Sequence, residues 1–268
     1  RKVRNKSMAQ QHTTPLSLGT DNLGKLLVRY AVPAIVATVT SALYNITDSI
    51  FIGQGVGPLA MTALGICMPI MSITAAFGAM VGVGGSALAS IRLGQGNKAA
   101  AFRILGNIVL LNIIFGVATM AFCLLFLDKL LFLFGASEAT IGYAHEYMKI
   151  LLWGNVVTHL YLGLNAILRS TGYPTKSMVV MLISVGVNCV LDPLFIFGFD
   201  WGIAGSAYAT VIAQTTALIY ELVHFANPKN FLHFRRSIFR LRKDITLKII
   251  SIGMAPFLVQ SCASLVSM

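Results

Sequence analysis

No aspartate, glutamate, lysine or arginine occurs between Ser49 and Ile91. The hydrocarbon core of a bilayer takes about 20 apolar residues per helix. That one interval is therefore long enough for the end of one spanning helix, a turn and a second helix. Other charge-bounded intervals are 30–47, Ile104–Leu127, Ile150–Leu168 and Trp201–Tyr220. Extended to whole helices, they predict spans near 26–52, 59–85, 104–127, 144–168, 177–199, 202–224 and 249–268. Charged residues make up 11% of the chain, against about 25% in soluble domains. Spanning segments must satisfy their own backbone, which favours helices. The expected fold is an all-α membrane protein.

The distribution of charge orients the spans. Of the 20 lysines and arginines, 18 fall on one side when the N-terminus is placed inside; only Lys129 and Lys149 fall outside. The excess of basic residues in cytoplasmic segments then puts the N-terminus and the 226–248 segment in the cytoplasm. Met8 is a candidate start; without Arg1–Ser7, 14 basic residues remain inside. A net charge of +11 also suits a nucleic-acid binder. Here the charges flank the spans and form no single stripe, so no nucleic-acid partner is expected. Residues 1–25 are polar and lack the apolar core of a signal peptide. Cys67, Cys123, Cys189 and Cys262 lie far apart in apolar segments, with no metal-ligand spacing.

Residues 25–41 and 248–264 share a frame. Lys25 precedes Pro33 by eight residues, as Lys248 precedes Pro256; Val36 matches Val259 and Ser41 matches Ser264. The second copy follows six spans, which return the chain to the side it started from. Span seven thus repeats span one in the same orientation, a parallel repeat. The expected organisation is a cytoplasmic segment at 1–25, a six-helix lobe at 26–225, a linker at 226–248, and the first helix of a second lobe at 249–268. On this reading the chain is a fragment of a twelve-helix protein. The linker interleaves Phe231, Leu232, Phe234, Ile238, Phe239 and Leu241 with basic residues. It reads as an amphipathic helix lying on anionic membrane lipids.

Two acids interrupt the apolar spans. Asp192 lies within Ser177–Phe199, and Asp48 near the outer end of the first span. An ionisable residue costs about 2.5 kcal/mol or more at the centre of a spanning helix, so it marks function by default. Asn188 precedes Asp192 by four residues, one helical turn. Tyr44 and Asn45 precede Asp48 by four and three, and are expected on its face. Thr210, in the next span, is within reach of the same chamber, and Asn165 lies near the cytoplasmic end of the fourth. Carboxylates among amides and hydroxyls bind a sodium ion or hold a proton, so Na+ at Asp48 and Asp192 is one expectation. The alternative is that Asp192 caps a helical piece beginning at Pro193, and that Asp48 sits in the membrane interface. Pro193 permits a broken helix, which is tolerated where it lines a cavity. Pro33 removes one backbone hydrogen bond and allows a kink, either a static bend or one that responds to protonation of Asp48.

Gly78–Ser86 contains Gly78, Gly82, Gly84 and Gly85. It lacks the Gly-Lys-Ser/Thr ending of a phosphate loop and suits close helix packing in a membrane. His145 and His159 stand alone and read as structural.

Several ordered motifs resemble the multidrug and toxic compound extrusion (MATE) family. They are Pro33 to Asp48 with Ser49–Gly53 after it, Leu93-Gly-Gln-Gly96-Asn-Lys-Ala99, Leu168-Arg-Ser-Thr-Gly172-Tyr-Pro174, and Asn188 to Pro193 followed by Gly202–Thr210. The resemblance implies a twelve-helix antiporter of two six-helix lobes in the bacterial inner membrane. Such a protein exports cationic, amphipathic compounds against inward proton or sodium flow. For the branch with an acidic pair in the first lobe, it implies an ion site at positions matching Asp48, Asn188, Asp192 and Thr210, with Asn165 and Tyr147 in the same set. Pro33 matches a proline associated with bending of the first helix. No cofactor, no catalysis and no obligate protein partner is implied.

Two alternatives fit the apolar spans and buried acids less well. A flippase for lipid-linked intermediates would carry a charged lumen for a diphosphate, whereas acids and few bases fall in the spans here. An intramembrane aspartyl protease would place one acid after Tyr and the other after Gly-x-Gly. Here Ile46-Thr47 precedes Asp48 and Val190-Leu191 precedes Asp192.

Overall fold

The computed structural model describes residues 22–266, so the segment expected at 1–25 and the candidate start at Met8 lie almost wholly outside the described residues. The described residues form helices, with no strand among them. The long elements are α1 (Leu23–Gly55), α2 (Pro58–Gly94) and α3 (Lys98–Leu125), followed by a short α4 (Leu127–Leu133). Next come α5 (Ile141–Trp153), α6 (Asn155–Ser170), α7 (Pro174–Pro193), α8 (Gly202–Ala226) and α9 (Lys243–Val266). Asn22 and Asn97 start α1 and α3, their side chains accepting from Gly24 N and Ala100 N. Pro58 and Pro174 open α2 and α7, where a missing N–H costs nothing. Among the described residues six helices are long and apolar enough to cross a membrane, and the α5–α6 pair makes a seventh. The protein is a multi-pass membrane protein.

Three elements depart from the sequence expectation. The fourth span is not straight: α5 and α6 meet at Gly154 with a bend of 55°. A side-chain carbon on Gly154 would press on Val211 of α8, at 2.6 Å. Asn155 fixes the break by donating to Gly116 O (3.0 Å) and Thr119 Oγ1 (2.8 Å) of α3. At the end of α7 the chain widens into a π turn, Leu194–Gly198, closed by Phe199 N donating to Leu194 O. Pro193 has no N–H to offer the α ladder, and a wide turn absorbs that loss. Asp192 therefore lies inside α7 and does not cap a new helix.

The third departure is the 226–248 segment. The amphipathic helix expected there is not formed; the segment is irregular apart from one 3-10 turn, Arg236–Ile238, and α9 begins at Lys243. Four of its apolar residues turn into the protein, while Phe239 and Leu241 stay exposed. Leu232 and Ile238 are buried in the core, and Phe231 and Phe234 pack against it. Arg235 and Lys98 lie over the rings of Phe102 and Phe231, at 4.6 and 4.1 Å. Asn107, fully buried on α3, clamps the segment: its Nδ2 donates to Arg240 O (3.2 Å) and its Oδ1 accepts from Arg242 N (2.9 Å). Asn107→Ala should cost about 1–3 kcal/mol by leaving those backbone groups unpaired. Limited trypsin digestion is expected to cut at Arg235–Lys243 faster in the variant. Equal rates would show that the clamp does not hold the segment.

The apolar core falls into two clusters stacked along the bundle. One contains Leu88, Ile104, Ile108, Leu164, Ile167, Val180, Leu218 and Phe225. The other contains Ile52, Leu64, Ile70, Leu131, Met148, Leu152 and Ile196. Buried polar side chains collect between them in chain order: Thr74 on α2, Asn112 on α3, Asn155 at the α5–α6 break, Asn188 and Asp192 on α7, Thr210 on α8. The Gly-rich stretch of α2 packs helices, as its composition suggested. Added carbons on Gly82 and Gly84 would meet the backbones of Gly163 on α6 and Gly253 on α9, at 3.1 and 2.8 Å.

Candidate ion site

Asp48 on α1 and Asp192 on α7 meet against α8. Asp48 is 7% exposed and Asp192 1%. Their side chains are within hydrogen-bonding reach of each other, and Ser206 of α8 lies against both. Ser206 Oγ donates to Asp48 Oδ1 over 2.8 Å. Thr210 follows Ser206 by four residues and so stands on the same face of α8. With the Asn188 amide nitrogen turned toward the acid, Nδ2 donates to Asp192 Oδ2 over 2.7 Å, and Oδ1 accepts from Thr210 Oγ1 at 3.2 Å. The opposite orientation would aim an amide oxygen at a carboxyl oxygen. Since Thr210 then donates to Asn188, the Tyr44 hydroxyl, 3.2 Å away, is the donor to Thr210. The result is a directed chain from Tyr44 through Thr210 and Asn188 to Asp192.

Local structure explains the convergence. Tyr44 and Asp48 are one turn apart on α1, and both face α8. Asn188 and Asp192 are one turn apart on α7. Gly205 lets the π turn after Pro193 approach α8: an added carbon there would stand 3.0 Å from the backbone of Phe195. Asp192 Oδ1 is buried with no hydrogen-bond partner. An orphaned buried oxygen costs about 1–3 kcal/mol, and more if charged. The chamber thus holds a buried acceptor with no donor facing it.

The expected residues do not all gather here. Tyr147 of α5 is 2% exposed and near enough to feel both acids. Asn45 points outward and is exposed, although its spacing suggested the Asp48 face. Asn165 belongs elsewhere: its Nδ2 donates to Ser177 O (3.2 Å) and to Glu221 Oε1 (3.0 Å). It stands beyond the bend at Gly154, on the far side of the polar layer, among residues of the first apolar cluster. Pro33 is a buried residue within α1, whereas Pro256, within α9, is half-buried. The sequence reading missed Ser206, whose signal was its four-residue spacing from Thr210. It also missed Glu221, taken only as the boundary of a span. Among the described residues no group of three His, Cys, Asp or Glu side chains could hold a metal ion. His145 pairs with Asp128 at 2.7 Å on the surface, away from the chamber.

Comparison with known proteins bears on the family and the fold. A family model described as MatE matches residues 33–194. The chain is 29% identical over 240 residues to the multidrug export protein MepA of Staphylococcus haemolyticus (strain JCSC1435), covering 88% of this chain and 52% of that protein. It is 28% identical over 240 residues to MepA of Staphylococcus aureus (strain NCTC 8325 / PS 47), with the same coverage. The chain thus spans about half the length of these relatives. A crystal structure of MATE in the bent conformation superposes with a TM-score of 0.85 at 27% identity, covering 92% of this chain and 55% of that one. A MOP superfamily transporter from Pyrococcus furiosus, described as having a binding pocket of reverse polarity, gives 0.82 at 28% identity, covering 87% and 52%.

Proposed function

Because this chain belongs to the MatE family, we propose that it forms one lobe, with the first helix of a second, of an antiporter. The antiporter exports cationic, amphipathic compounds against inward flow of protons or sodium ions. The observation that carries the proposal is the meeting of Asp48 and Asp192 in one buried polar chamber. Two carboxyl groups this close repel when both are ionised, so one proton or one cation between them is favoured. The bare Asp192 Oδ1 gives the ion a ligand that nothing else uses.

Coupling follows from where the chamber sits. Helix α1 shows much of its apolar surface to the outside, including Ile35, Val39, Leu43 and Ile46. Its polar ties to α8 are Asp48–Ser206 and Tyr44–Thr210. An ion arriving at the acids competes for those ties and changes how α1 rests on α8. Pro33, fifteen residues earlier, gives α1 a point at which to bend. If the ion binds one arrangement of α1 better than the other, its affinity difference drives the shift toward outward release of substrate. The N-terminus lies in the cytoplasm, and residues 226–248 form the cytoplasmic link between lobes, as the basic residues suggest. The role is transport, with no chemical step.

The test is an efflux assay in proteoliposomes holding this lobe together with a second lobe. An imposed inward proton or sodium gradient is expected to expel ethidium. Movement of a fluorescent lipid-linked probe without ethidium export would replace the proposal with a flippase.

A further inference from the structure

Glu221 is the one acid of α8, and the Asp48–Asp192 chamber does not use it. It lies eleven residues after Thr210, roughly 16 Å along the helix. There it stands among Ala217, Leu218 and Phe225, inside the first apolar cluster and outside the polar layer. Its exposure is 0%. Oε1 accepts from Asn165 Nδ2 over 3.0 Å, and Oε2 is buried with no partner. Asn165 is held in turn by Ser177 of α7, whose Oγ donates to Asn165 Oδ1 over 2.7 Å.

No ion pair to Glu221 is seen among the described residues. The helices around it carry Tyr161 and Arg169 on α6, Lys176 on α7 and His224 on α8 itself. Lys176 Nζ is 3.2 Å from His224 Nδ1 instead. Asp128 and Asp244, by contrast, contact His145 and Arg242. Tyr161 is close enough to feel the Glu221 charge, but it brings no positive charge. An ionised carboxylate in this position would carry an uncompensated charge, costing several kcal/mol. A sodium ion would need a shell of oxygens, and the group facing Oε1 is an amide N–H. A proton on the bare oxygen removes the charge without any further ligand.

We propose that Glu221 is a second proton-carrying carboxyl of this lobe, bound through Asn165 and separate from the Asp48–Asp192 chamber. Its partner Asn165 borders a cavity of about 90 Å³, whose lining includes Ser177, Arg169, Thr38 and Pro33. Asn165 thus contacts Glu221 on one side and the cavity below Pro33 on the other. Loss of the proton would turn Asn165–Glu221 into a charge-assisted bond, roughly twice as strong as a neutral one. The tie between α6 and α8 would tighten, and regaining the proton would loosen it.

Infrared difference spectroscopy of the purified chain, titrated with acid and base, tests this directly. Wild type is expected to show a protonated-carboxyl C=O component that Glu221→Gln removes. That component should persist in Asp48→Asn and Asp192→Asn, and sodium at constant pH should leave it unchanged. The proposal is overturned if Glu221→Gln leaves the carboxyl spectrum unaltered, if the component vanishes in Asp192→Asn, or if sodium displaces it. Should Glu221→Gln fail to fold, wild type treated with dicyclohexylcarbodiimide gives the answer by peptide mapping. This reagent attacks protonated buried acids, so an adduct on Glu221 is expected and its absence contradicts the proposal. The two acid sites fail independently, since each variant reports only its own carboxyl.

Discussion

Replacing Gly253 with valine is expected to drive α9 away from α2 and to lower the thermal stability of the purified protein more than any other single glycine change in that helix pair. The carbon added to Gly253 falls on the carbonyl oxygen of Met80, and its nearest side-chain neighbour, Met80 Cγ, is 2.9 Å away. The reciprocal carbon on Gly84 falls on the carbonyl of Ile249 and stands 2.8 Å from Gly253 N. Backbone faces backbone on both sides, so no rotamer change relieves the overlap. Overpacking typically costs about 1–3 kcal/mol when side chains can adjust; here whole helices must move. Close approach of small residues is what holds helices together where burial from water supplies no force between them. Thermal denaturation in detergent checks the expectation. Gly65→Ala is the control, because a carbon at Gly65 meets nothing within 4 Å and alanine favours the helix by about 1 kcal/mol. A Gly253→Val protein as stable as wild type would mean that α9 does not rest on α2 in this way.

The second large effect concerns the acids as a pair. Asp48→Asn and Asp192→Asn are each expected to abolish the response to the coupling ion, and the double variant is expected to be no worse than either single one. Residues that share one ligand are not additive. Asp192 supplies the bare oxygen, while Asp48 is fixed by Ser206, which lies against both acids. Removing either carboxyl leaves one acid that keeps its own proton or charge without a partner. Ion dependence of substrate affinity, measured for the four proteins, separates the cases. Additive losses would mean two independent acids instead of one site.

Much of this was legible in the sequence because the physics was local. Charge-free intervals gave the number and order of the spans, though α2 runs nine residues past the expected end at 85 and α3 and α9 each begin six residues early; four-residue spacings placed Tyr44 with Asp48 and Asn188 with Asp192. What depends on distant contacts was not legible. The bend at Gly154 follows from Val211 and from the hold of Asn155 on α3, and neither is a neighbour in sequence. The 226–248 segment has a composition that suits a surface helix, yet Leu232 and Ile238 enter the core beside Phe102, and Asn107 of α3 holds the segment's backbone. Asn165 carries the right chemistry for the ion chamber, and only the packing of α6 shows that it serves Glu221. Glu221 itself was hidden by position. Near a span end, a buried acid and a solvated boundary residue look the same in sequence.

The most direct test of the central claim is the rate of ethidium efflux from proteoliposomes, with this lobe joined to a second, at fixed pH and with or without an imposed ion gradient. The account expects wild type to respond to a proton or a sodium gradient, and Asp192→Asn to give the same residual rate under every gradient. Undiminished, gradient-driven efflux in Asp192→Asn would contradict it.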